Sequence, residues 1–282
     1  MRWWVSIGAG AVVAALLSGD VAGIAAPAGV HRLAQSDSRQ PVDVQLVLAV
    51  DVSYSMDLDE LATQREGYAE AIVSREFLQA LRQGPAGRIA ITYFEWAGSQ
   101  DQKLIIPWRI IDGPESAGAV AAEIRQVPVR RASRTSISGA INFAVPLFDE
   151  GGFVGVRRVI DISGDGANNS GTPVTVARDA ALAKGIVING LPIMIKDLSY
   201  ATMDIPNLDF YYEDCVIGGP GSFVVPIKDR ARFKEAIRAK LVMEVAGRVP
   251  VPRVVPASVA EPRMSCMIGE RIWQERWGGR QP

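Results

Sequence analysis

Apolar residues along this chain follow two rhythms. Short runs rich in β-branched residues occur at Val42–Val50, Arg88–Trp96, Lys103–Ile111, Arg158–Ser163 and Ile186–Ile195. Their length is that of strands, and the first is nearly continuous in apolar residues, as strands covered on both faces are. Between them lie segments whose apolar positions recur at helical spacing, from about Asp59 to Leu81, Pro114 to Gln126, Ser136 to Phe148, Thr172 to Gly185 and Asp229 to Val245. In the third, Ile137, Ala140, Ile141, Ala144, Val145 and Phe148 form one stripe. The fourth is punctuated by Thr172 as N-cap, Pro173 at the first helical position and Gly185 just past the end. Alternating strands and helices predict a doubly wound, mostly parallel α/β sheet with helices on both faces. The short link Ala97–Gln102 makes Lys103–Ile111 the return strand of a hairpin, hence antiparallel. Pro107 cannot donate to a ladder, which places that strand at an edge. A long connection to Tyr211 and a strand or hairpin edge at Phe223–Ile227 complete the expected sheet.

Both ends differ in composition from this middle. Arg2 precedes an apolar run from Trp3 to Leu17, and small residues follow, with cleavage expected between Ala25 and Ala28. That is a signal-peptide pattern, and the run is shorter than the ~20 residues a membrane span needs. The expected organisation is a signal peptide over residues 1–28, a flexible lead-in over 29–41, one folded domain over 42–247 and an arm over 248–282. Pro250, Pro252, Pro256 and Pro262 mark the arm as extended, and Met264–Trp277 is a candidate helix carrying Trp273 and Trp277. No segment after the leader is apolar enough to span a membrane, so the expectation is an exported protein, periplasmic or secreted. Cys215 and Cys266 suit an oxidising compartment, and one bridge or two separate buried thiols both accord with the sequence. With Cys266 beside Trp273 and Trp277, the arm is expected to return to the domain.

Charge narrows the function. Lys plus Arg total 30 and Asp plus Glu total 31, so no global field argues for nucleic acid. The single histidine, His31, precedes the first strand. The folded part therefore has no histidine for a catalytic triad, a zinc site or acid–base work.

The chemistry collects at three places. Asp51-Val52-Ser53-Tyr54-Ser55 sits at the carboxyl end of the first strand, Asp165 at the end of the fourth, and Thr135 in a basic loop before a helix. In an open α/β sheet, loops after neighbouring central strands meet where the strand order reverses. Two carboxylates and three hydroxyls are thus predicted to converge, although Ser and Thr are also ordinary turn and cap residues. Taken in order and context, Asp51-x-Ser53-x-Ser55, Thr135 and Asp165-Gly166 resemble the metal-ion-dependent adhesion site of von Willebrand factor A-type domains, over roughly Val42 to Ala246. The resemblance looks closest to an exported bacterial branch of unassigned function. It implies Mg²⁺, or Mn²⁺ or Ca²⁺, ligated by Ser53 and Ser55. It implies Thr135 as a direct or water-mediated ligand, with Asp51 and Asp165 acting mostly through water. Gly164 departs from the pattern, since the family usually places a hydroxyl residue before this aspartate.

Independently of the resemblance, neutral hydroxyl ligands leave a cation's charge poorly offset, so an open coordination position favours an anion. The expected partner is a protein or peptide that supplies a carboxylate, and the expected activity is binding rather than catalysis. Tyr54, Glu95, Trp96, Arg131, Arg134 and Asn168 are candidates for the rim around the site. Asp161, inside the fourth strand, is expected to pair with an arginine or to support the metal through water. A metal-dependent hydrolase, or a structural module whose metal only orders loops, stand as alternatives.

Overall fold

The computed structural model describes residues 39–195, 204–247 and 263–278. The signal-peptide segment and most of the lead-in lie outside them, as do residues 248–262 of the arm. The first apolar run forms β1 (Gln40–Asp51), and it is followed by α1 (Leu58–Ile72), α2 (Arg75–Leu81), β2 (Ile89–Trp96), β3 (Gln102–Ile111), α3 (Pro114–Gln126) and α4 (Ile137–Glu150). Then come β4 (Phe153–Gly164), α5 (Val174–Ala183), β5 (Ile186–Pro192), α6 (Leu208–Tyr211), α7 (Phe233–Ala246) and α8 (Ile268–Trp277).

The sheet order is β3-β2-β1-β4-β5. β1 pairs in parallel with β2 and β4, β4 pairs in parallel with β5, and β3 runs antiparallel at the edge. This is the doubly wound, mostly parallel sheet that the alternating pattern predicts. β1 lies at its centre and is buried on both sides. Leu46, Leu48 and Val50 point into a core with Tyr68 and Ile72 of α1, Val120 of α3 and Ile237 and Leu241 of α7. Val47 and Ala49 point to the other face, against Ile141, Ala144 and Phe148 of α4 and Ala177 of α5. Full burial of each large apolar side chain contributes ~1.5–3 kcal/mol, so the centre of β1 is fixed in register from both sides.

Several elements differ from the sequence expectation, each for a local reason. The helix expected from Asp59 to Leu81 is two helices. Ser74 ends the first and caps the second, accepting from the Phe77 N–H at 3.2 Å while its hydroxyl donates to Ala71 O at 2.7 Å. α5 starts one residue later than its punctuation suggests. Pro173 is extended (ψ 136°) and stands in the cap position in place of Thr172, whereas Gly185 does take the left-handed conformation (φ 71°) just past the helix. The segment Phe223–Ile227 runs beside β5 without becoming a strand. It makes isolated bridges, Val224 with Gly190 and Ile227 with Ile193, and Pro226 between them has no N–H to extend a ladder. The connection to Tyr211 holds α6, which leads into a π-helical turn at Tyr212–Val216. Asp229 caps a short 3₁₀ turn, Arg230–Arg232, that runs into α7. Among the described residues no helix is long and apolar enough to cross a membrane.

Candidate functional site

Pairing of Val50 with Ser163 sets the loops after β1 and β4 side by side at the carboxyl edge of the sheet. The β1 loop folds tightly. Ser53 N–H donates to Asp51 Oδ1 at 2.7 Å, an Asx turn that leaves both serine hydroxyls on one side. The Ser53 and Ser55 hydroxyls are 2.8 Å apart, and Ser55 donates to Asp165 Oδ1 at 2.6 Å. Met56 is buried below the loop, and Asp57 and Glu60 form a capping box that starts α1. Four of the five sequence-predicted site residues are thereby joined by direct hydrogen bonds.

The fifth comes from the loop before α4. Ala132 N–H donates to Val52 O at 2.9 Å, and Ser136 N–H to Ala97 O at 2.7 Å. Thr135 N–H donates to Asn169 Oδ1 at 3.0 Å, and Asn169 N–H returns to Thr135 O at 2.8 Å. These bonds seat Thr135 beside the β4 loop, where a β-carbon placed on Gly166 would lie 3.5 Å from Thr135 Oγ1.

Electrostatics at the cluster disfavour a charged Asp51. Asp51 is fully buried, and its Oδ2 has no hydrogen-bond partner among the described residues. Burial, and then the charge of Asp165, hold the Asp51 carboxyl well above the usual carboxylate range, while the hydrogen bonds from Ser53 oppose them. A hard cation among these oxygens would relieve both effects, and hydroxyl and carboxylate oxygens are the donors such a cation takes. Among the described residues no three Asp, Glu, His or Cys side chains gather as a metal cage, so a cation here would rest largely on hydroxyl and water oxygens.

Gly164 has a structural reason. A β-carbon there would come 2.9 Å from Asp51 Oδ2 and 3.0 Å from the Tyr212 hydroxyl. Tyr212, buried in the π-helical turn, fills that space and donates to Gly164 O at 3.4 Å. The phenol hydroxyl therefore crowds the space beside position 164. Tyr212 carries no sequence signal, because it reaches the site from an irregular stretch far along the chain. Asn169, next to the rim candidate Asn168, is the side chain that holds the Thr135 N–H.

The rim divides. Tyr54, Arg131 and Arg134 are at least partly exposed, and the Arg131 guanidinium lies 5.3 Å from the centre of the Tyr54 ring. Glu95, Trp96 and Asn168 are buried and do not line the rim. Trp96 follows the strand alternation into the α4 face. Glu95 is the anchor of the basic loop, paired with Arg65 and with Arg130 at 3.0 Å. Asn168 accepts from Ser138 N–H at 3.0 Å and donates to Thr172 O at 3.1 Å. Asp161 pairs with a lysine, not an arginine. Lys240 Nζ lies 2.8 Å from Asp161 Oδ1 and 2.6 Å from Glu244 Oε1, all three fully buried.

The described part of the arm lies against the domain. A disulfide joins Cys215 to Cys266, Arg263 pairs with Asp214 at 2.7 Å and with Glu213 at 2.6 Å, and α8 packs beside the β4 loop.

With the site described, solved structures place the fold. Proximal thread matrix protein 1 from the mussel byssus matches with a TM-score of 0.53 at 12% identity, over 74% of this chain and 49% of that one. The same protein with a zinc-occupied MIDAS motif matches with a TM-score of 0.51 at 15% identity, over 74% and 49%. The pilus adhesin SpaC from Lactobacillus rhamnosus GG matches with a TM-score of 0.52 at 11% identity, over 75% and 32%. At these identities the likeness is one of fold, and this chain spans about half the length of the mussel protein. No curated protein matches the chain. A family model described as a protein of unknown function (DUF1194) matches residues 41–249.

Proposed function

The chain belongs to this DUF1194 family of unknown function, and we propose that it is an exported von Willebrand A-type binding module that engages a protein or peptide partner through a divalent cation. The observation that carries the reading is the meeting of Asp51, Ser53, Ser55 and Asp165 in one hydrogen-bonded cluster, with a buried carboxylate oxygen of Asp51 lacking a partner among the described residues. Ser53, Ser55 and Thr135 would hold the cation, with Asp51 and Asp165 offsetting its charge from behind. When bound, the cation supplies an electrophilic position that a carboxylate can fill. Tyr54, Arg131 and Arg134, at least partly exposed, would form the rim of that position and favour an acidic partner. The signal-peptide pattern and the paired cysteines support export. The mussel protein with its zinc-occupied MIDAS motif supports a cation site on this fold, and the pilus adhesin supports a binding role.

A hydrolase would need a general base near the cation. Lys240, Asp161 and Glu244 are tied up in a buried ion-pair network of their own, which favours the binding reading. The test is capture of envelope or secreted proteins by the immobilised chain with Mg²⁺, with chelator, and with Ser53→Ala. One protein retained only with Mg²⁺ and only by wild type is the expected result. Capture indifferent to chelator defeats the reading, and turnover of generic ester or phosphate substrates with Mg²⁺ would replace it with the hydrolase.

A further inference from the structure

Arg134, the residue before Thr135, has φ 74°, in the left-handed region that a long side chain seldom takes. Such a conformation persists only where the surroundings hold it. Besides the hydrogen bonds that seat Thr135 and Ser136, a holding group is on α8. The Arg134 guanidinium lies 3.6 Å from the centre of the Trp273 ring, and Trp277 stacks on Trp273 at 5.8 Å. One turn earlier, Asn168 donates to Glu270 Oε1 at 2.7 Å, and Asn168 also accepts from Ser138 N–H in the first turn of α4. Gly269 lies against the Asn168 backbone so closely that a β-carbon would fall 2.1 Å from Asn168 O. α8 thus touches both loops that flank Thr135, and the Cys215–Cys266 bridge with the Arg263 ion pairs ties its start to the turn that carries Tyr212.

We propose that α8 is a positioning element of the cation site, with Trp273 on Arg134 and Gly269 against Asn168 holding the loop that presents Thr135. This rests on the reading of Asp51, Ser53, Ser55, Thr135 and Asp165 as a cation site. The argument is one of preorganisation. A ligand hydroxyl that is fixed before the cation arrives costs less to order, so losing the clamp weakens binding without removing any ligand. A helix that only packs on the domain would change stability and leave cation affinity alone.

The experiment uses the full chain and Mn²⁺ as the probe. Mn²⁺ is titrated by calorimetry into wild type, Trp273→Ala, Gly269→Ala and Trp273→Ala combined with Arg134→Gly. Amide exchange of residues 131–136 is followed in the metal-free proteins. Loss of one exposed cation–π contact predicts about fivefold weaker Mn²⁺ binding by Trp273→Ala, with faster exchange of the loop. Gly269→Ala should act in the same direction by pushing α8 off Asn168. Arg134→Gly should restore part of the affinity in the Trp273→Ala background, because glycine takes positive φ without strain although it adds chain freedom. Wild-type affinity in Trp273→Ala, or a lowered melting temperature with affinity retained, overturns the positioning role. Absence of Mn²⁺ binding by wild type defeats the cation reading itself and the positioning role with it, and the exchange data then report separately whether α8 holds the loop.

Discussion

Replacing Lys240 with Met should destabilise the domain severely, and in a way that depends on pH. Lys240 is the one ammonium between two buried carboxylates, 2.8 Å from Asp161 and 2.6 Å from Glu244. Asn189 Nδ2 also donates to Glu244 Oε2 at 2.7 Å, so Glu244 keeps one partner and Asp161 loses its ion pair. Removing one member of a buried pair costs about 3–5 kcal/mol. That is a large share of a typical total of about 5–15 kcal/mol. Even with the lysine present, burial pushes the Asp161 carboxyl up to about 6, Lys240 opposing it. Without the lysine it must rise further. A carboxyl whose folded pKa exceeds its unfolded value contributes stability at low pH, and that contribution is lost as pH rises through the folded value. The deficit of Lys240→Met should therefore be larger at about pH 7.5 than at about pH 5. Urea unfolding of wild type and variant at both values measures it. Adding Asp161→Asn to Lys240→Met should recover part of the loss, since one buried charge goes. A deficit below about 1 kcal/mol, or one that ignores pH, refutes the account of this network.

Other outcomes follow from the same geometry. Ser replacing both Cys215 and Cys266 should cost ~2–4 kcal/mol in urea unfolding, because the bridge closes a loop with a sequence separation of 51; no change would mean the bridge does not form. Gly164→Ser should destabilise, because its β-carbon meets Asp51 Oδ2 and the Tyr212 hydroxyl, and Tyr212→Phe in the same background should relieve part of that loss. Thermal unfolding of the two variants checks this, and a stable Gly164→Ser would show that the space is not filled as described. Glu95→Gln should loosen the basic loop by weakening the pairs with Arg65 and Arg130, which amide exchange across residues 127–134 would report.

The fold was legible where burial is two-sided. β1 is apolar almost throughout because α1, α3 and α7 cover one face and α4 and α5 the other, so its pattern reports its place directly. The break at Ser74 was less visible, because serine in a helical pattern is ordinary until its hydroxyl is seen to cap the next turn. The clustering of the candidate residues was legible because strand ends and loop order bring Asp51, Ser55 and Asp165 together whatever the details. The rim was not. Trp96 ends β2 at the right edge of the sheet, yet alternation along the strand decides which face it takes, and a one-residue change of phase reverses that. The partner of Asp161 was hidden for another reason. Lys240 comes from α7, far along the chain, and no local pattern encodes a pairing across that separation. Tyr212 and Trp273 reach the site from an irregular turn and a proline-flanked arm, so only the assembled chain shows them there.

The cation site itself is tested most directly by calorimetric titration of Mg²⁺ and of Mn²⁺ into wild type, Ser53→Ala and Asp51→Ala, with circular dichroism to establish that all three are folded. The account predicts one site in wild type, lost or much weakened in both variants while the fold survives on the unchanged core of β1. Wild type that binds neither cation at millimolar concentration, or variants that bind as wild type does, would contradict it.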